Sequence, residues 1–233
     1  MSMIITRRGF SLMAASPQWG KIFEKLTTKG GPLTEGRIAD GLKEALKIGA
    51  GNAVNLTGRK DGFFLNQVIK ILLPEPLQKV ERGLRLVGFG KQLDELVLGM
   101  NRAAESAAPL AKDIFLNAIT EMNFADAKAI LGGSQTAATD YFENKTTPKL
   151  TELFRPPVAQ VMGEVGVTKQ WGSLFSKLKS VPLVKADAID LEGYVVTKSL
   201  SGLFTVLGQE ETKIRRDPAA RVTSILKEVF GAR

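Results

Sequence analysis

Chemistry in this chain has to come from carboxylates, amides, lysines, arginines and two tyrosines, because the sequence contains neither histidine nor cysteine. Without imidazole there is no Ser-His-Asp triad, no His-ligated metal and no Glu-x-x-His di-iron site. Without thiols there are no disulfides, no thiolate nucleophiles and no Cys-type zinc sites. Five carboxylates fall on or near the longest helical pattern: Glu95, Glu105, Asp113, Asp126 and Asp140. A general acid/base pair would need two of them to converge in a cleft with separated pKa values. Their spacing instead suits surface ion pairs and helix caps, so no catalytic residue is assigned.

Polar residues set inside apolar stretches are the other candidates: Asn66, Asn101, Arg102, Asn117, Thr136, Thr139 and Tyr141. Buried polar groups must be hydrogen-bonded, so these residues either knit helix junctions together or line a cavity for a ligand with a polar head. Asn66, Arg102 and Tyr141 are the ligand-binding candidates under the second reading. Nucleotide sites are not supported. Gly83 and Gly88 have the Walker glycine spacing, but Phe89 stands where lysine is required. Gly49-Ala50-Gly51 lacks both a third glycine and a preceding strand. No metal or cofactor site is expected.

The elements that must position these residues are helical. From Lys91 to Thr146 apolar residues recur at Leu93, Leu96/Val97, Met100, Ala103/Ala104, Ala107, Ile114/Phe115, Ala118/Ile119 and Met122. This is one helix face held for about eight turns, with Pro109 expected to kink or split it near Ala108. The stretch is read as the one around which the chain is organised. Further helices are predicted from Glu35 to about Leu56, from Leu77 to Val87, from Asn123 (as cap) to Leu131, after Ser134, from Pro148 onward, over Thr168–Leu178, from Asp190 to Arg216, and after Pro218. Phe63–Leu73, FFLNQVIKILL, is compatible with a buried strand or a helix. Helix is preferred, because nothing else in the chain supplies partner strands. The expected fold is an all-α, single-domain bundle of about eight to ten helices over residues 17–233.

Residues 1–16 read as a degenerate twin-arginine-like signal or a disordered N-terminus. Arg7-Arg8 precede an apolar stretch of only Phe10 to Ala15. The net charge of +8 is concentrated at the start, with ten Lys/Arg against four Asp/Glu over residues 1–60. That suits a solvated helix face or an anionic membrane surface, and makes nucleic acid an unlikely partner because a basic stripe is missing.

Five segments carry a family resemblance: GLKEALKIGAGNAV (Gly41–Val54), DGFFLNQVIKILLP (Asp61–Pro74), MNRAAESAAPLA (Met100–Ala111), DAKAILGGSQTAATDYFENKT (Asp126–Thr146) and IRRDPAARVTSILKEVFG (Ile214–Gly231). In these the chain resembles the bacterial family catalogued as domain of unknown function 4197. The resemblance implies a helical protein and a periplasmic location, with cytoplasm as the alternative, since members typically carry an export or lipoprotein signal. The missing cysteine leaves no lipid-accepting residue for an anchor. The family name supplies no activity and no site residues.

The expected function is therefore binding or assembly in the cell envelope rather than catalysis, with a protein partner or a second copy of the chain. The alternative is a carrier of a lipid, quinone or other small apolar or anionic molecule between helices. An exposed apolar patch would favour assembly. An interior with room for no more than a few waters would count against carriage.

Overall fold

The computed structural model describes residues 35–167, 169, 171–172 and 190–217. The twin-arginine stretch, nearly all of the Thr168–Leu178 helix and the helix after Pro218 lie outside these residues.

The described residues are all-helical, without a strand. They form α1 (Glu35–Gly58), two single-turn helices α2 (Glu75–Gln78) and α3 (Glu81–Leu84), α4 (Gly90–Ala107), α5 (Ala111–Glu121), α6 (Phe124–Gly132), α7 (Ala137–Glu164) and α8 (Leu191–Arg216). Six of these are longer than one turn, so the expected eight to ten helices are not matched among the described residues. Two predicted helices lie wholly or almost wholly outside the described residues. The predicted Leu77–Val87 helix is instead the two single turns α2 and α3, followed by a break at Gly88. Two further departures contribute. The pattern read as separate helices on either side of Pro148 is one continuous α7, running through Pro148, Pro156 and Pro157. An interior proline costs about 3 kcal/mol. The cost is offset by a buried face of Phe142, Leu150, Phe154, Val158 and Met162. The second departure is Phe63–Leu73, which is not helical at all.

Several predicted boundaries are present. Pro109 lies in a single 3-10 turn, Ala108–Leu110, that separates α4 from α5. Asn123 caps α6 through a full capping box with Asp126. Asp190 caps α8 by accepting the Gly193 N–H at 2.9 Å. The chain breaks at Gly88, whose φ of 94° belongs to the left-handed region, within the turn Arg85–Phe89.

By burial the centre of the bundle is α8 rather than the stretch around α4. It packs against α1, α7 and α4. Exposed Thr197, Ser201, Thr205, Gln209 and Lys213 recur every four residues as a polar stripe in water, with Lys198 and Arg216 exposed as well. Phe204 of α8 meets Phe115 of α5, which in turn packs on Phe142 of α7, with ring centroids 6.1 and 5.1 Å apart. The apolar stripe of α4 faces α7 and α8, as its alanine-rich spacing predicts.

Candidate functional site

Residues 59–74, between α1 and α2, form an irregular segment without the usual ladder partners, yet many of its backbone polar groups are hydrogen-bonded. Asp61 has a φ of 66°, a conformation that Asp tolerates better than most residues. Its backbone carbonyl accepts the Leu65 N–H at 3.2 Å. The N–H groups of Phe63 and Phe64 both point at Oε1 of Glu105 on α4, at 3.1 and 3.0 Å. Asn66 makes a turn of its own: its Oδ1 accepts the Val68 N–H at 3.0 Å, and its carbonyl accepts Lys70 N–H at 2.9 Å.

Ile71 is then held from both sides by one side chain. Asn101 Oδ1 accepts the Ile71 N–H at 2.9 Å, and Asn101 Nδ2 donates to the Ile71 carbonyl at 2.8 Å. The Tyr194 hydroxyl of α8 donates to the Leu72 carbonyl at 3.0 Å. Gln78 donates to the Leu73 carbonyl.

A second group of α4 charges fixes Glu105. Arg102 reaches Glu105 Oε2 and Asp61 Oδ1, each at 2.6 Å. Partial burial works against the guanidinium charge, but the hydrogen bonds to Glu105 and Asp61 outweigh it and keep its pKa above the ordinary value. Asn101, Arg102 and Glu105 therefore form one polar cluster whose role is to hold the preceding segment against α4.

The segment so held divides its side chains. Phe63, Ile69, Ile71 and Leu73 are buried. Leu65, Val68 and Leu72 stand out, 63%, 68% and 53% exposed. Val68 to Leu73 alternate between outside and inside, as in a strand, with α4 side chains in place of a neighbouring strand. Across a surface depression of about 480 Å³, Arg85 faces Lys70 and Leu72. The following residues, Leu86 and Val87, are 81% and 69% exposed on their turn. Arg85 is clamped between Glu81 and Asp94, at 2.8 and 2.7 Å. The hydrogen bond from Arg85 holds the Asp94 carboxyl below its ordinary range.

Over residues 32–231 the sequence matches the family described as protein of unknown function (DUF4197). The chain belongs to that family. No curated protein and no solved structure matches it.

In this DUF4197 chain the three ligand-binding candidates have partners within the protein. Asn66 shapes its own turn, as above. Arg102 is engaged by Asp61 and Glu105, and its other side meets a shallow depression with Leu98, Gly99 and Val165. Tyr141 donates from its hydroxyl to the Ala118 carbonyl at 3.2 Å, joining α7 to α5. Burial raises its pKa, as do the charges of Asp126 and Glu121. Asn66 and Arg102 thus both serve the 61–73 segment, and Tyr141 serves a different helix pair.

Two residues central to this DUF4197 fold escape the sequence reading. Glu105 reads as a surface carboxylate but is buried. Its only sequence signal is its place in the alanine-rich run MNRAAESAA, three residues after Arg102. Glu211 is buried as well, and its oxygens accept the Ala138 and Thr139 N–H groups at 2.9 Å, capping α7 where Ser134 was expected to. Ser134 instead accepts the Thr136 N–H one turn early, at 3.2 Å. Arg215, also buried, pairs with Glu211 at 2.8 Å and donates to the Ile130 carbonyl at the end of α6. The α6–α7 junction is therefore closed from α8. Tyr194 and Arg215 are 21 residues apart on α8, which places its two clamps about 30 Å apart, at opposite ends of the bundle.

Depressions elsewhere are of two kinds. A crevice among α1, α7 and α8 lined by Leu46, Phe142, Leu207 and Ile214 has about 20 Å³ of free space, room for about one water. A wide groove of about 700 Å³ between α7 and α8 is lined mainly by polar residues, including Asp140, Glu143, Thr205 and Lys213. Among the described residues no three acidic groups are placed to hold a metal ion, and no helix is long and apolar enough to cross a membrane.

Proposed function

We propose that this protein is a helical component of the bacterial cell envelope that acts by binding rather than catalysis. Its docking surface is the 61–73 segment together with the turn at 85–89. One observation carries this reading. The buried polar side chains Asn101 and Glu105 hold a non-helical segment in place, and that segment directs Leu65, Val68 and Leu72 into water. Buried polar groups are costly unless fully paired, and exposed apolar groups gain nothing in the free protein. Together they make sense when the exposed side chains have something to meet. The envelope location rests on the twin-arginine-like start and on the export signals typical of the family.

A photo-crosslinking amino acid at position 72, introduced into the full chain in its host, tests the reading. Position 128 on α6, at the far end of α8, is the control. Specific adducts at 72 and none at 128 are expected. Absence of adducts at 72, or equal labelling at both positions, rejects this docking surface. For carriage of a small molecule between the helices, the apolar crevice among α1, α7 and α8 offers room for about one water, and the groove between α7 and α8 is open and mainly polar.

A further inference from the structure

The 61–73 surface combines its apolar residues with an uneven charge distribution. Residues 59–91 contain seven Lys/Arg and three Asp/Glu. Asp61 pairs with Arg102 and Glu81 with Arg85, while Glu75 is exposed and has no ion pair among the described residues. Arg85 and Arg102 also pair with Asp94 and Glu105, so these two cations are shared among four carboxylates. Arg59, Lys60, Lys79 and Arg82 make no ion pair among the described residues and are exposed. Lys70 lies over the Phe64 ring, 4.3 Å from its centroid. It borders two depressions, in one beside Val68 and Leu72 and in the other beside Leu72 and Arg85. Residues 59–91 thus carry outward apolar side chains and exposed cations together, with Lys70 placed directly beside Val68 and Leu72.

The form of these apolar residues bears on what they meet. Leu65, Leu86 and Val87 are each more than 60% exposed and project as separate tips, whereas Val68 and Leu72 border the depression beside Lys70. A folded protein partner rewards closely matched, well-packed pockets around its anchors. A bilayer interface adapts to separate tips, taking leucine and valine into the headgroup–acyl boundary while lysine and arginine meet anionic headgroups.

We propose that this face docks on an anionic phospholipid surface. Leu65, Val68, Leu72, Leu86 and Val87 enter the interface, and Lys70, Lys79 and Arg82 contact the headgroups. The proposal rests on the docking reading above and specifies its partner.

Cosedimentation of the full chain with vesicles tests it, using phosphatidylglycerol–phosphatidylcholine mixtures against pure phosphatidylcholine. Binding to the anionic vesicles alone is expected, weakening as salt is raised because surface charges are screened. Two paired variants, Val68→Ser with Leu72→Ser and Lys79→Glu with Arg82→Glu, should each lower affinity by about tenfold or more. Lys128→Glu should leave it unchanged. The substituted residues are on the surface, and circular dichroism melts confirm that each variant is folded. No binding to anionic vesicles overturns the proposal, as does binding that the Val68/Leu72 pair leaves untouched. If vesicles fail but position 72 still crosslinks to a protein or to a second copy of this chain, the lipid assignment falls and the docking surface stands. If both fail, both fall.

Discussion

Asn101 engages Ile71 through both of that residue's backbone groups, accepting its N–H at 2.9 Å and donating to its carbonyl at 2.8 Å. A side-chain amide on a helix thus does for one residue what a neighbouring strand does in a sheet. Asn101 is fully buried and also donates to the Val97 carbonyl. Asn101→Ala would leave two buried backbone groups of Ile71 without partners, and is expected to cost about 2–4 kcal/mol. Asn101→Asp keeps the acceptor but sets a second oxygen against the Ile71 and Val97 carbonyls, so it should be no better than alanine. Urea denaturation midpoints check both variants. A loss below about 0.5 kcal/mol for either would show that Ile71 does not depend on this contact.

Glu211 should be as sensitive at the other end of α8. Removing it uncaps the first N–H groups of α7 and leaves Arg215 without its buried carboxylate. Glu211→Ala is expected to cost about 3–5 kcal/mol, because it strands a buried charge. Glu211→Gln keeps acceptor and shape while losing the charge, and should fall between alanine and wild type in thermal melts.

Gly202 on α8 marks the closest approach of the irregular segment to the bundle. A Cβ there would collide with the Phe63 ring, itself fully buried, and would crowd Ile69 at 3.2 Å. Gly202→Ala is expected to destabilise by about 1–3 kcal/mol despite the better helix propensity of alanine. Pairing it with Phe63→Leu should recover part of the loss in a double-mutant cycle. Additive losses would place the two residues out of contact.

Tyr141 and Tyr194 are the only tyrosines in the chain. Burial raises both above the model-compound value of 10.0, with nearby carboxylates adding to the effect, Glu75 for Tyr194 and Asp126 and Glu121 for Tyr141. A folded-state pKa above the unfolded one contributes stability that is complete below pH 10 and disappears as pH rises through the folded value. Ionised Tyr194 can no longer donate to the Leu72 carbonyl, so alkali should free that carbonyl while Asn101 still holds Ile71. An absorbance titration of tyrosinate should show both midpoints above 10 in the native protein, moving to about 10 in denaturant. A native tyrosine titrating at or below 10 would contradict this burial.

The sequence conveys the helical class well, because periodicity, caps and breakers are local. Asn123, Asp190, Pro109 and Gly88 all punctuate the chain where their chemistry says they should. It conveys less where tertiary packing overrides local preference. Pro148, Pro156 and Pro157 argue for interruptions that the buried face of α7 overcomes. FFLNQVIKILL satisfies its backbone with side chains some 30–40 residues further on, at Asn101 and Glu105, and no local pattern reveals that partnership. Glu105 and Glu211 look like ordinary surface acids, since burial of a carboxylate depends on which N–H groups the fold brings to it. Of the three ligand-binding candidates, Arg102 and Asn66 fall at the segment that carries the proposed function, and Tyr141 falls elsewhere.

Hydrogen exchange of the backbone amides of residues 61–73 in the intact protein tests the central claim most directly, that α4 side chains fix an irregular segment as a presenting surface. Phe63, Phe64 and Ile71 should exchange slowly, close to the rate set by global unfolding, although none of them lies in a helix. Asn101→Ala should release Ile71 selectively. Fast exchange at all three amides in the wild-type protein would contradict the claim, because it would show a segment that α4 does not hold.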